Sequence, residues 1–202
     1  SAIKYFKKKK IKKFYKWIEL INSWKSKYPV MQKKYLNQKK YINSFHFIDC
    51  LSSNLKGNET IVTDMGTSFT CTMQGFKILN PIKQRLFTSS GLAAMGFGLP
   101  GAIGAFFASK SDPIICITGD GGMMFNIQEL QTISNYKIPM KIFVIENQGY
   151  LTMKLMQVKN FKKYVGSTKK SGISFPNLKT TSEAFNLKYF KLNKSNMKNQ
   201  II

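Results

Sequence analysis

From residue 59 onward, the chain alternates between short apolar runs and segments with helical periodicity. Three runs are short enough to be single buried strands, at residues 59–64, 113–118 and 141–146. After the second run, apolar residues recur at helical spacing, at Met124, Ile127, Leu130 and Ile133. Short buried strands that alternate with helices are typical of a parallel sheet covered on both faces. We therefore predict an α/β fold built on a doubly wound parallel sheet.

The start of the chain differs from the rest because it is rich in lysine and aromatic residues. An amphipathic helix is predicted here from the spacing of Ile11, Phe14, Ile18 and Ile21, and Pro29 should end it. We expect a basic helical segment over residues 1–45, ahead of a folded domain over residues 46–202. Contact with an anionic surface is one interpretation of the lysines, and a solvated tail is the interpretation we favour.

Residues 86–109 form an uncharged stretch that is long enough to span a bilayer. The stretch contains five glycines and Pro100, and its apolar residues are mostly alanine, glycine and phenylalanine. A tightly packed, buried helix of small residues explains this composition equally well, and we favour it over a membrane span. We therefore do not expect the membrane to be a partner.

The net charge of +23 arises from 32 Lys and Arg residues against 9 Asp and Glu residues. Only Arg85 is an arginine, whereas nucleic-acid-binding proteins usually rely on arginine for phosphates and base edges. The abundance of lysine, asparagine and isoleucine instead fits the bias of an AT-rich genome. We therefore interpret most of the charge as solvated surface, not as a nucleic-acid-binding site.

The cysteines and the one histidine carry little catalytic signal. Cys50, Cys71 and Cys116 are scattered and form no CxxC pair, which predicts neither a disulfide framework nor a zinc site. A reducing, cytoplasmic setting fits this pattern. His46 is the only histidine and no GxSxG motif accompanies it, so we interpret it as a partly buried structural residue.

The second predicted strand runs into a carboxylate among glycines, in the sequence Gly119-Asp120-Gly121-Gly122. A helix is predicted to follow at once, and the first N–H groups of a helix favour anions. Glycines would let a diphosphate approach the backbone closely, but a bare carboxylate beside it would repel it. A divalent cation held by Asp120 would resolve this conflict.

A second ligand for such a cation is predicted at the end of the next strand. The carboxyl ends of parallel strands lie at one edge of the sheet, where these folds bind ligands. Asn147 directly follows the strand at residues 141–146, and its side-chain oxygen suits Mg²⁺. The carbonyl of Gly149, in the same loop, is placed to supply a third oxygen.

The GDG motif followed by an Asn-bearing loop resembles the signature of thiamine-diphosphate-dependent enzymes. The wider sequence is similar to the acetolactate synthase branch of that family at residues 89–105 (SSGLAAMGFGLPGAIGA) and 126–151. Residues 146–157 (ENQGYLTMKLMQ) are closer still to acetolactate-synthase-like enzymes that accompany bacterial surface-polysaccharide genes. The resemblance runs from about Trp24 to Phe190.

The resemblance implies a thiamine-diphosphate-binding fold, with thiamine diphosphate and Mg²⁺ as cofactors. In that family the matching positions would give Asp120, Asn147 and the Gly149 carbonyl as the Mg²⁺ ligands. Gly121 and Gly122 would donate N–H groups to the diphosphate.

Further cofactor-binding residues are implied on the other side of the predicted site. Gly66 and Thr67 match the second phosphate-side loop, and Gly119 belongs to the glycine cradle. Met95 matches the apolar residue that props the cofactor into a bent shape, which brings an internal base against the reacting carbon. An ordinary core methionine is the alternative for Met95.

The activity implied is the decarboxylation and carboligation of 2-keto acids, as in acetolactate synthases. A different thiamine-diphosphate decarboxylase or carboligase, including one for surface-polysaccharide sugars, is an alternative that would keep the same metal site. A basic protein associated with a membrane or with nucleic acid is the non-enzyme alternative, in which Asp120 and Asn147 would be incidental.

Two features depart from the family pattern. Glu146 stands where the family usually has the first of two Asn residues. The family's acidic glutamate lies on a separate pyrimidine-binding domain, contributed by a partner subunit, and nothing before residue 45 resembles that domain. We therefore expect a homo-oligomer, a fragment that opens with the tail of the family's middle domain, and a chain that stops short of the family's C-terminus.

Two weaker signals complete the list of candidates. Residues 96–101 satisfy GxGxxG, but a dinucleotide fold needs a strand immediately before the motif, and we do not expect residues 86–95 to form one. The motif is therefore interpreted as accidental, with close helix packing as the reason for its glycines. Asp64 is interpreted as a strand-end cap, not as a ligand.

Overall fold

The computed structural model describes residues 14–89, 91–109 and 113–201, so Ile11 and Ser90 lie outside it. Its sheet has four strands in the order β2-β1-β3-β4, and every neighbouring pair is parallel. The strands are β1 (Thr60–Thr63), β2 (Arg85–Phe87), β3 (Ile114–Gly119) and β4 (Met140–Ile145). The predicted α/β parallel sheet is confirmed, and the three predicted strands are all present within a residue or two of their expected bounds.

Helices surround this sheet in the described part of the chain. The α-helices are α1 (Tyr15–Lys27), α2 (Ser44–Ser53), α3 (Thr67–Gly75), α4 (Gly98–Ser109), α5 (Asp120–Met124), α6 (Glu129–Asn135), α7 (Leu151–Phe161), α8 (Leu178–Ala184) and α9 (Met197–Ile201). Short 3₁₀ helices occupy Lys33–Asn37 and Lys169–Ser171.

The strands send alternate side chains into two separate cores. Val62, Ile114 and Cys116 pack on one face against buried residues of α4 and α6, where Leu99, Ala102, Leu130 and Ile133 lie. Ile61, Ile115 and Ile117 pack on the other face, with buried residues of α2, α3 and α9. Continuous apolar strands with helices on both faces define the predicted doubly wound arrangement.

Strand β2 corrects one expectation, because residues 86–95 were not expected to contain a strand. Leu86 and Phe87 pair with Ile61 and Val62 of β1 in parallel register. The strand ends at Phe87, and Gly96 begins the GxGxxG motif only after an intervening loop, so the strand–glycine–helix junction of a dinucleotide site is not formed.

Close packing accounts for two of the three glycines of α4, Gly98 and Gly101, whereas Gly104 has open space at the position of a Cβ. A Cβ on Gly101 would lie 2.8 Å from the Phe97 ring and 3.1 Å from Val62, and one on Gly98 would lie 3.2 Å from Asp64. The second half of the uncharged stretch is helical, as predicted, but α4 buries only one face, with Gly98, Leu99, Ala102 and Ile103, while Phe107 is 50% exposed. Across the described ranges, none of the helices combines the length and the apolar character that crossing a membrane requires.

The N-terminal lead-in is helical and basic, as predicted for the residues that the structure describes. Helix α1 ends before Pro29 and buries none of its residues. Asn43 caps α2 by accepting hydrogen bonds from the N–H groups of Phe45 and His46. The predicted domain division after residue 45 therefore falls inside a helix that belongs to the core of the sheet domain.

Candidate functional site

The predicted site residues lie at the carboxyl edge of the sheet. The chain leaves β1 toward β2 on one side, and then returns to place β3 and β4 on the other side. The strand order therefore reverses between β1 and β3, and ligands of open α/β sheets bind at such a switch point. Gly66 follows β1, Asp120 follows β3 and Asn147 follows β4, so three neighbouring strand ends carry the site.

Asp120 is the centre of the site. It is only 3% exposed. Its Oδ1 accepts a hydrogen bond from the N–H of Gly121 (2.8 Å), and its Oδ2 accepts from the N–H groups of Asn147 (3.1 Å) and Gln148 (2.7 Å). Burial raises the pKa of the Asp120 carboxyl, and these backbone donors offset part of the rise. The carboxylate therefore joins the ends of β3 and β4.

Asn147 provides the test of whether a cation fits here. Its side-chain Oδ1 is buried, and no hydrogen-bond partner for it exists among the described residues. A buried acceptor without a donor is costly unless something else, such as a metal ion, satisfies it. Gly149 is buried in the same loop, with a φ of +146°, and a Cβ there would collide with Ser167 and Lys154. The oxygen atoms available at this site are therefore suitable ligands for a hard cation such as Mg²⁺.

The composition of the site favours Mg²⁺ over softer metals. Within the described ranges, no cluster of three or more His, Cys, Asp or Glu side chains forms. One carboxylate, one amide oxygen and one carbonyl are typical ligands of Mg²⁺, which usually completes its shell with water and phosphate oxygens. The assignment of Asp120, Asn147 and Gly149 as its ligands stays a prediction.

The opposite wall of the site is the junction of β1 and α3. Gly66 precedes the first residue of α3 with a φ of +77°, and nothing lies within 4 Å of the position its Cβ would take. Only glycine adopts this φ without strain, and the open space leaves the backbone accessible. Gly66 and Thr67 thus present exposed backbone toward Asp120 across the cleft.

Met95 lines the cleft, and the N–H of the next residue, Gly96, is hydrogen-bonded to Asp64. The Asp64 carboxylate is buried and accepts hydrogen bonds from the N–H groups of Met65 (2.7 Å), Gly96 (3.0 Å) and Gly98 (3.4 Å). The hydroxyl of Thr118 also donates to it, at 3.0 Å. Asp64 therefore does more than cap a strand, because it fixes the backbone next to Met95.

One cleft of about 210 Å³ brings all the predicted cofactor-binding residues together. They are Gly66, Thr67, Met95, Gly119, Asp120, Gly121, Gly122, Asn147 and Gly149. Met65, Ser68 and residues 150–153 also line the cleft, and the sequence did not point to them. Glu146 is exposed and is not among the lining residues, so its charge is directed elsewhere.

Lys154, which does not line the cleft, is another residue that sequence reasoning missed. Its Nζ donates to the carbonyl oxygens of Asn147 (3.1 Å) and Gln148 (3.2 Å). Its position in the sequence could have indicated a role. The helix dipole disfavours a lysine in the first turn of a helix, and this helix begins directly after the Asn147 loop.

Comparison with known proteins identifies the family. Residues 64–201 match the family described as "Thiamine pyrophosphate enzyme, C-terminal TPP binding domain". An acetolactate synthase large subunit from Pyropia yezoensis is 33% identical over 178 residues, which is 88% of this chain and 29% of that protein. A probable acetolactate synthase large subunit from Methanococcus aeolicus is 41% identical over 136 residues, 65% of this chain and 22% of that protein.

The relatives are considerably longer than the chain. Acetolactate synthase 1 of Nicotiana tabacum is 33% identical over 177 residues, which is 85% of this chain and 26% of that protein. The chain spans 29% and 30% of the length of the first relatives that it matches. The family match begins directly after β1 and covers β2, β3, β4 and all the residues that line the cleft. The chain therefore belongs to the thiamine pyrophosphate enzymes, and it carries the C-terminal domain that binds this cofactor.

Proposed function

We propose that this domain works in a Mg²⁺-dependent enzyme that decarboxylates a 2-keto acid and joins the remainder to a second carbonyl, as the names of the acetolactate synthase relatives suggest. The observation that carries the proposal is the pairing of Asp120 with the Asn147 loop, in which Asn147 Oδ1 is buried without a partner. A cation between these groups would satisfy that oxygen and offset the charge of the buried carboxylate.

The residues of this chain bind and orient the cofactor in this proposal. Asp120, Asn147 and the Gly149 carbonyl hold Mg²⁺, which neutralises the diphosphate that the backbone of Gly121 and Gly122 approaches. Thiamine diphosphate, when bound, supplies the carbanion stabilisation that decarboxylation and carboligation of 2-keto acids require.

Met95 has a positioning part in the proposal. Its side chain is 39% exposed and faces the cleft, where a flexible apolar group can wedge a bound cofactor into a bent shape. The loop that presents it is pinned by the hydrogen bonds from Gly96 and Gly98 to Asp64. A rigid support of this kind keeps a functional side chain within the small tolerance that catalysis allows.

The proposal includes a second subunit. The acetolactate synthase relatives are more than three times as long as the matched region, which is 29% of the first of them. We propose that the pyrimidine-binding domain of a second subunit closes the cleft and supplies the family's acidic glutamate. We also propose a reducing, cytoplasmic setting, because Cys50, Cys71 and Cys116 are all free thiols.

Binding of thiamine diphosphate to the intact protein tests the proposal. Intrinsic fluorescence should show binding that depends on Mg²⁺, and Asp120→Ala should raise the Mg²⁺ requirement by more than about 100-fold, since even residues behind metal ligands cost 10- to 100-fold. Glu183→Gln, which alters an exposed carboxylate on α8, is the control and should bind normally. Tight, Mg²⁺-dependent binding by Asp120→Ala would refute the ligand assignment.

Product analysis separates an acetolactate synthase from other enzymes of the family. The intact protein is supplied with pyruvate and with mixtures of 2-keto acids and aldehydes. Formation of acetolactate from pyruvate alone is the expected outcome. Release of acetaldehyde only, or transfer to an aldehyde acceptor only, would assign the chain to a decarboxylase or to another carboligase.

A further inference from the structure

Lys154 lies directly against the loop that carries two of the predicted metal ligands. Its side chain is half-buried, and its ammonium nitrogen donates to the carbonyl oxygens of Asn147 (3.1 Å) and Gln148 (3.2 Å). The same nitrogen lies 2.6 Å from the position that a Cβ on Gly149 would take. The lysine therefore packs on the bare backbone of Gly149.

One peptide group connects Lys154 to Asp120. The peptide between Asn147 and Gln148 accepts from Lys154 through its carbonyl and donates to Asp120 Oδ2 through its N–H at 2.7 Å. The next peptide accepts from Lys154 through the Gln148 carbonyl. The dipole of the Asn147–Gln148 peptide thus has its carbonyl at the cation and its N–H at the anion, which strengthens both of its hydrogen bonds.

The helix itself does not explain the position of this lysine. A cation in the first turn meets the positive end of the helix dipole, and α7 has no acidic residue in that turn to compensate. The ion pairs found in the described ranges are Lys77–Asp49 and Lys179–Glu183, and neither involves Lys154. The loop carbonyls are therefore the groups that hold the ammonium in place.

We propose that Lys154 is a positioning residue that orders the 147–149 loop, so that Asn147 Oδ1 and the Gly149 carbonyl face a Mg²⁺ ion beside Asp120. This inference rests on the proposed function. Lys154 is not among the residues that line the cleft, so it acts through the loop and not on the cofactor. Without the ammonium, the two carbonyls lose their donor and the loop relaxes, and more Mg²⁺ is needed to organise it.

A Mg²⁺ titration of thiamine diphosphate binding to the intact protein tests this role. Lys154→Met keeps an unbranched apolar stem but removes the donor, and it should raise the half-saturating Mg²⁺ concentration about 10- to 100-fold. Lys154→Arg keeps the charge and the donors and should restore most of the affinity. Lys159→Met is the matched control: Lys159 lies on the same helix and, within the described residues, makes no hydrogen bond to the loop, so its Mg²⁺ requirement should not change.

Turnover separates positioning from a general folding defect. At saturating Mg²⁺ the kcat of Lys154→Met should return to the wild-type value, and its thermal unfolding without Mg²⁺ should match that of Lys159→Met. An unchanged or lower Mg²⁺ requirement in Lys154→Met, or a loss that saturating Mg²⁺ does not restore, would overturn the positioning role and leave the proposed function intact. Binding by the wild type that ignores Mg²⁺ would overturn the proposed function and this inference together.

Discussion

At the scale of single residues, Asp64 shows how one buried carboxylate can organise a cofactor cleft. It is 1% exposed and accepts hydrogen bonds from Gly96, 32 positions away, and from Thr118, 54 positions away. Hydrogen bonds to a charged acceptor contribute more than those to a neutral one, and several of them are needed to offset the desolvation of a carboxylate. Asp64 therefore ties the ends of β1 and β3 to the loop of Met95.

We expect Asp64→Asn to lower the free energy of unfolding by about 2 kcal/mol, because the amide nitrogen would face backbone donors in place of an acceptor. Urea unfolding followed by circular dichroism measures the difference. Glu183→Gln, on the exposed surface of α8, is the matched carboxylate-to-amide control and should stay within about 0.5 kcal/mol of the wild type. Equal stability of the two variants would show that Asp64 contributes no more than a surface residue does.

That Asp120 and Asn147 lie close together at one edge of the sheet could be predicted from the sequence, whereas the contacts that support them could not. The sequence indicates Asp120 and Asn147 as candidates because each is a polar residue at the end of a predicted apolar strand. The contacts that hold them are different in kind. Asp64 reaches Gly96 only through the return of the chain across the sheet, and Lys154 reaches the Gln148 carbonyl only through its side-chain conformation. Neither of these two contacts can be inferred from the spacing of residues along the sequence.

At the scale of elements, the β3–α5 junction gives its three glycines different roles. Gly119 has an extended φ of −96°, and no atom lies within 4 Å of the position of a Cβ there. A Cβ on Gly121 would collide with the ring of Tyr150, and one on Gly122 would lie 2.7 Å from Asp64 Oδ2. Packing therefore requires glycine at positions 121 and 122. At position 119 packing does not require it, and glycine there keeps the cleft open.

Substitution of these glycines should separate stability from binding. We expect Gly122→Ala to lower the free energy of unfolding by about 2 kcal/mol, since the methyl group overlaps a buried carboxylate. Gly119→Ala should stay within about 0.5 kcal/mol of the wild type, yet weaken thiamine diphosphate binding, because its methyl group enters the cleft. Chemical unfolding and cofactor titration of both variants measure this. If Gly122→Ala has the same free energy of unfolding as the wild type, the Asp64 side chain can shift away from the methyl group without destabilising the fold.

The elements that were predicted well are those with a strong apolar pattern. Strands β1 and β3 are buried along almost their whole length and contain the apolar pairs Ile61–Val62 and Ile114–Ile115, so the sequence signals them clearly. Strand β2 escaped prediction because it has three residues, of which Arg85 and Phe87 are exposed. The helical pattern after Asp120 also hides a break at residues 125–128, where the amide of Asn126 turns to donate to the Gly96 carbonyl. Such tertiary hydrogen bonds override local periodicity.

At the scale of the whole molecule, the two cores share the same central strands. Neighbouring residues of β3 alternate between the cores, with Cys116 in one and Ile117 in the other. Cys71 of α3 lies in the second core, so each core contains one fully buried thiol. Because β1 and β3 cannot leave one core without disturbing the other, we expect the two faces to open as one cooperative unit.

Thiol labelling of the native protein can test this coupling directly. Burial raises the pKa of Cys71 to about 11, and burial together with the nearby Asp64 carboxylate raises that of Cys116 further, so both stay protonated and unreactive at pH 8 until the fold opens. Cys50 is only half-buried and should react first with iodoacetamide. Peptide mapping by mass spectrometry at increasing urea should then give Cys71 and Cys116 one common opening free energy and one common urea dependence. A Cys71 that reacts earlier, with a smaller urea dependence, would show that the α2–α3 face opens while the β3–α4 core stays closed, and that the sheet does not couple its two sides.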